Sequence, residues 1–119
     1  MNSSDRRQYQ RHKTEILASV HTRDETILAT ITDIGRGGFG MILEKAIPQQ
    51  SQVVIELEFS GEYAIKGTVT WSSQILQGQN TVYCVGIQAE SIIWTDLKAV
   101  AFPEWDDLVR KIISEAASR

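Results

Sequence analysis

Cysteine occurs once, as Cys84, in a chain of 119 residues. One thiol excludes an internal disulfide and a cysteine-rich metal site, so a reducing, cytoplasmic setting is the expectation. Long apolar runs are also missing. None approaches the roughly eighteen residues of a membrane-spanning helix, and the polar N-terminus does not read as a secretory signal. The two histidines, His12 and His21, have no partner at metal-ligand or triad spacing and read as surface residues. No nucleophile–base–orienter set occurs, so no enzymatic activity, no metal and no cofactor are expected. Internal repeats and low-complexity segments are absent.

What remains is the size of one domain with a single core. The hydrophobic fraction of 42% and the charged fraction of 23% are ordinary for a globular chain. A net charge of −3 argues against general DNA or RNA binding, which rests on many phosphate contacts. The charge is unevenly placed. Residues 1–13 carry a side-chain balance of +3 from Arg6, Arg7, Arg11 and Lys13 against Asp5, and the rest of the chain carries −6. A basic arm on an acidic body suits a small anionic ligand.

Residues 1–13 are polar and aperiodic, which predicts a flexible arm. From Thr14 the apolar residues alternate. Ile16, Ala18 and Val20 share one face and Ile27, Ala29 and Ile31 another, joined by the polar turn Arg23-Asp24-Glu25. Asp33 to Gly38 interrupts the run, and Phe39 to Leu43 resumes it. Val53, Ile55, Leu57 and Phe59 alternate with Glu56 and Glu58, an acidic face that is solvated or receives a partner. Tyr63, Ile65, Val69 and Trp71 follow, with Gly67 marking a bulge or a close contact. Gln77-Gly78-Gln79-Asn80 predicts a hairpin turn, and Val82 to Ala89 the last strand. Trp71 and Trp105 are expected to fill the core, and Cys84 to be a small strand residue. Residues 92–102 are apolar and ambiguous, compatible with one or two helical turns packing against the sheet. Beyond Pro103, the three- and four-residue steps of Trp105, Leu108, Val109, Ile112, Ile113 and Ala116 predict an amphipathic helix. The expected fold is mainly β. It is a small six-stranded antiparallel β-barrel over 14–90, between the arm and a C-terminal helical segment, 91–119.

Two polar clusters carry the chemistry. Arg6-Arg7-Gln8-Tyr9-Gln10-Arg11 gathers guanidinium forks, each able to bond two guanine acceptors or two phosphate oxygens, or to stack on a purine. Asp33-Ile34-Gly35-Arg36-Gly37-Gly38 offers a carboxylate that can accept from the guanine N1–H and N2–H₂ edge. Its glycines let the backbone approach closely, and successive amides can form an anion-binding concavity. Each cluster has a simpler reading: the arginines as a solvated tail, Asp33 as the cap of a turn, and the glycines as a bulge.

Together the clusters resemble the PilZ domain family. Arg7-Gln8-Tyr9-Gln10-Arg11 matches its RxxxR motif, and Asp33 to Gly38 is similar to its D/N-x-S-x-x-G motif. Gly67-Thr68-Val69-Thr70-Trp71 and Val85-Gly86-Ile87 are similar to its later strands. The resemblance covers residues 6–90 and implies a split six-stranded barrel that binds cyclic di-GMP and signals to a downstream protein. By the same resemblance Arg7 and Arg11 would grip guanine and phosphate, Asp33 would read the guanine edge, and Gly38 would hold the loop. Arg6 and Arg36 would add contacts. Gly35 stands where the family has serine, which removes one hydroxyl from the site. The alternative reading is a PilZ-like protein-interaction module without nucleotide binding, as in type IV pilus function.

Overall fold

The computed structural model describes residues 12–35, 37–58, 63–94 and 110–115. Six strands are formed: β1 His12–His21, β2 Thr26–Gly35, β3 Gly38–Leu43, β4 Gln52–Leu57, β5 Tyr63–Gln77 and β6 Asn80–Trp94. They close a barrel in the order β1-β2-β3-β6-β5-β4, and every neighbouring pair is antiparallel. Closure gives each strand two neighbours along the part of its length that forms the barrel.

Alternation explains the interior. Ile16, Ala18 and Val20 on β1, Ile27, Ala29 and Ile31 on β2, and Val53, Ile55 and Leu57 on β4 are all buried. Their neighbours Leu17, Leu28 and Glu56 are exposed. Phe39, Met41, Leu43, Ile65, Val69, Val85 and Ile87 belong to the same core cluster. Residues 110–115 are helical, and Ile112 of the expected apolar stripe is fully buried in the same core cluster. Phe59, Trp105 and the start of the expected helix lie outside the described residues.

The strands reach further than the 14–90 that alternation suggests. His12 and Lys13 belong to β1, opposite Ile34 and Asp33. Backbone pairing does not require an apolar side chain, so a polar dipeptide can open a strand. At the other end the ambiguous apolar segment begins as strand. Ile92, Ile93 and Trp94 are opposite Ile65, Ala64 and Tyr63. The register shifts between Lys66 and Gly67, where a bulge or close contact was expected.

Trp71 departs from its expected place in the core and is 47% exposed. Val69 is opposite Ile87, but Trp71 is opposite Gly86, so Thr70 is an extra residue. A bulge of one residue reverses the parity of everything beyond it. Val69 points inward and Trp71 outward, its indole lying over Gly86. A Cβ added there would meet Trp71 Nε1 at 2.0 Å.

Candidate functional site

The second polar cluster is a hairpin rather than a long loop. β2 continues through Asp33 to Gly35, Gly35 pairs with Gly38, and the connection is only residues 36–37. Its tip is tied to the barrel, because the Ala89 N–H donates to the Gly37 carbonyl at 3.1 Å. Gly38 lies against β6 so closely that an added Cβ would fall 1.8 Å from the Ile87 carbonyl oxygen. Only glycine allows that approach.

Two irregularities set the direction of Asp33. β2 loses register on β3 between Ile31 and Asp33. β1 loses register on β2 between Lys13 and Ile16, where Thr14 and Glu15 stand against Thr32 alone. The Thr14 hydroxyl donates to the Ile31 carbonyl at 2.8 Å and fixes this kink. In a regular strand Asp33 would share the buried face of Ile31. The shift instead buries Ile34 completely and leaves Asp33 half-buried. Its carboxylate lies over Gly40, where an added Cβ would meet its oxygens at 3.2 and 3.3 Å.

Asp33, Gly35 and Gly38 are therefore brought together at one end of the β2–β3 hairpin. Arg6, Arg7, Arg11 and Arg36 lie outside the described residues. The strand that continues the arginine segment is nevertheless placed. His12, which follows Arg11 in the sequence, is opposite Ile34, and Lys13 is opposite Asp33.

Two further residues join this end without having been singled out in the sequence. Lys13 is exposed on β1 beside Asp33, and exposed Gln88 on β6 is opposite both Gly38 and Thr68. The Thr68 hydroxyl donates to Glu90 Oε2 at 2.7 Å. Lys13 could have been found by counting back from Asp33 across a hairpin, but Gln88 lies some fifty residues from Gly38 and carries no local signal.

His21 lies at the other end of β1. Half-buried His21 contacts Thr26 Oγ1 through Nδ1 at 2.9 Å and the Glu56 carboxylate through Nε2, and His12 is exposed. Among the described residues no cluster of three or more metal-ligating side chains occurs. Nor is any helix among them long and apolar enough to cross a membrane. A cleft of about 610 Å³ lies at the far end of the barrel, between the 22–25 turn and residues 46–52, and contains none of the expected site residues.

Comparison with known proteins follows the same lines. The PilZ domain family model matches residues 5–99. No curated protein sequence gives a significant match. Among solved structures, the chain is similar to the PilZ domain of YcgR from Escherichia coli, determined with c-di-GMP. The identity is 18% and the TM-score 0.66, covering 95% of this chain and 92% of that one. It is also similar to MrkH of K. pneumoniae in its apo state, at 20% identity and a TM-score of 0.59. That match covers 91% of this chain and 49% of the other, so the chain spans about half the length of MrkH. The family match runs through both polar clusters and all six strands of the barrel, and the chain belongs to the PilZ domain family.

Proposed function

We propose that the chain is a non-enzymatic receptor domain for cyclic di-GMP. The reading is supported by family membership and by likeness to the YcgR PilZ domain, whose structure contains c-di-GMP. The observation that carries it is the register of β1 on β2. That register sets His12, the residue after Arg11 in the sequence, opposite Ile34 and Lys13 opposite Asp33, so β1 begins beside the second cluster where the arginine segment ends in sequence.

In this proposal the guanidinium groups of Arg7 and Arg11 hold guanine and phosphate, with Arg6 and Arg36 adding contacts. Asp33 accepts from the guanine N1–H and N2–H₂ edge, and the tight Gly35–Gly38 hairpin lets the ligand approach the backbone. Binding draws the segment before β1 across this end of the barrel, and the new surface signals to a protein partner.

Titration calorimetry with cyclic di-GMP tests the reading. The unmutated chain is expected to bind saturably. Arg7→Ala or Arg11→Ala should each weaken binding by roughly ten- to a hundredfold, the equivalent of one lost charge-assisted contact of about 1.5–3 kcal/mol. Absence of binding by the unmutated chain overturns it.

A second reading, a protein-interaction module, has its own observation. Leu17 and Leu28 are 53% and 78% exposed and line a shallow cleft with Glu56 and Glu58 on the outer face of β1, β2 and β4. A partner captured equally by the unmutated chain and Arg7→Ala, with or without nucleotide, favours that reading.

A further inference from the structure

β5 and β6 are each fifteen residues long, and the barrel uses only part of them. β4 covers the outer edge of β5 from Ala64 to Thr68. The β3–β4 connection extends that cover a little. The Gln50 N–H donates to the Val69 carbonyl at 2.7 Å, the Val69 N–H to the Ser51 carbonyl at 2.9 Å, and the Gln49 side-chain amide to the Thr70 carbonyl at 3.0 Å. From Trp71 to Gln77 β5 is held by β6 alone, and its other edge has no backbone partner among the described residues. All seven residues are exposed.

Seven residues is the length of an ordinary strand. Proteins usually blunt such an edge with charge, especially lysine, or with proline. Here neither is present. Between Lys66 and Glu90 the sequence contains no charged residue and no proline, in a chain that is 23% charged. The edge instead displays Trp71, Ile75 and Leu76, which are 47%, 38% and 76% exposed.

The pattern of the edge selects its occupant. A neutral ribbon has nothing to complement a charged peptide. Trp71-Ser72-Ser73-Gln74-Ile75 reads apolar, polar, serine, polar, apolar in either direction. That is the self-complementarity an isologous two-fold contact requires. An antiparallel pairing centred on Ser73 sets Trp71 opposite Ile75 of the second copy, and Ile75 opposite its Trp71. Aromatic and β-branched residues are favoured cross-strand partners. Each copy has a net charge of −3, so a neutral edge is also where two copies approach with least repulsion.

We propose that two copies of this chain associate through residues 71–75 on the open edge of β5, joining the two β5–β6 ribbons into one continuous antiparallel sheet. The contact is independent of the nucleotide site.

Sedimentation velocity over a concentration series tests it on the full chain. The unmutated chain should show a monomer–dimer equilibrium. Ile75→Lys should raise the dimer dissociation constant by roughly tenfold or more, since a lysine then enters the strand–strand contact. Leu28→Lys, at an exposed leucine on β2, and Arg7→Ala should leave it unchanged, with folding of every variant checked by circular dichroism. Two copies of Ser73→Cys in a Cys84→Ser background should cross-link on mild oxidation. Directly opposed strand residues lie about 4.5–5.5 Å apart at Cα, within disulfide reach. A chain that stays monomeric throughout, a dimer indifferent to Ile75→Lys, or failure of the cross-link overturns the proposal.

Discussion

Gly38→Ala tests the closure of the barrel and the shape of the candidate site in one substitution. The new Cβ would stand 1.8 Å from the Ile87 carbonyl oxygen, 2.9 Å from its carbonyl carbon and 3.1 Å from Gln88 Cα, all of them backbone atoms that cannot rotate away. Real Cβ contacts essentially never fall below 3.0 Å, so β3 and β6 must separate by more than an ångström at this point. That movement disrupts the Gly38–Gln88 pairing and strains the 3.1 Å bond from the Ala89 N–H to the Gly37 carbonyl. Losing two or three such bonds costs about 2–3 kcal/mol at ~1 kcal/mol each. That is a large share of an ordinary domain's ~5–15 kcal/mol. With a urea m-value of about 1–1.5 kcal/mol/M, the unfolding midpoint should fall by about 2 M. Gly37→Ala is the control. Nothing lies within 4 Å of a Cβ placed there, and its effect should stay within about 0.5 kcal/mol. A Gly38→Ala midpoint equal to that of Gly37→Ala refutes the close β3–β6 approach. The same separation displaces the Gly35–Gly38 hairpin, so cyclic di-GMP binding should weaken in Gly38→Ala even where the protein remains folded.

Ile31→Ala, at a fully buried position, should cost about 2–5 kcal/mol in urea unfolding. Leu28→Ala, three residues away and 78% exposed, should stay within about 0.5 kcal/mol, and equal costs would overturn the facing of β2. Gly35→Ser restores the hydroxyl found in the family motif. Calorimetry should show cyclic di-GMP affinity unchanged or up to about tenfold tighter, from a net hydrogen bond of ~0.5–1.5 kcal/mol; loss of binding refutes this placement of the hydroxyl. Gly86→Ala drives a methyl into the Trp71 indole and should cost about 1–3 kcal/mol, but much less in a Trp71→Ala background. Strict additivity in that double-mutant cycle would refute the contact.

The barrel was legible because most of its strands are amphipathic. Ile16, Ala18 and Val20, and then Val53, Ile55 and Leu57, alternate cleanly, and every one of them is buried. The turns at 22–25 and 78–79 were equally plain, since each falls in a polar or glycine-containing gap between two alternating runs. The ends of β1 and β6 were not. Backbone pairing extends β1 through polar His12 and Lys13, and the pairing of Ile92 and Ile93 with β5 turns an ambiguous apolar stretch into strand. The edge of β5 was hidden for a related reason. A sequence shows that residues 71–77 can form a strand, but not that β4 begins only at Gln52, opposite Thr68, and leaves them with one neighbour among the described residues.

Bulges mark the boundary between what alternation reveals and what it conceals. Alternation treats residues i and i+2 as equivalent, and a bulge breaks that equivalence through a miscount against a partner strand that no local pattern records. At Thr70 the miscount sends Trp71 outward, so an aromatic expected in the core becomes the anchor of an exposed ribbon. At Thr32 it acts on a carboxylate. Counting by twos from Ile31 places Asp33 inside the barrel, where an ionised group would be very costly to bury. The shift buries Ile34 instead and leaves Asp33 half-exposed over Gly40, beside Lys13 at the start of β1. The motif could therefore be recognised as a string of residue types, while its usefulness as a site depends on two shifts of register. In the proposed site its aspartate would meet the ligand because the strand carrying it is irregular at that point.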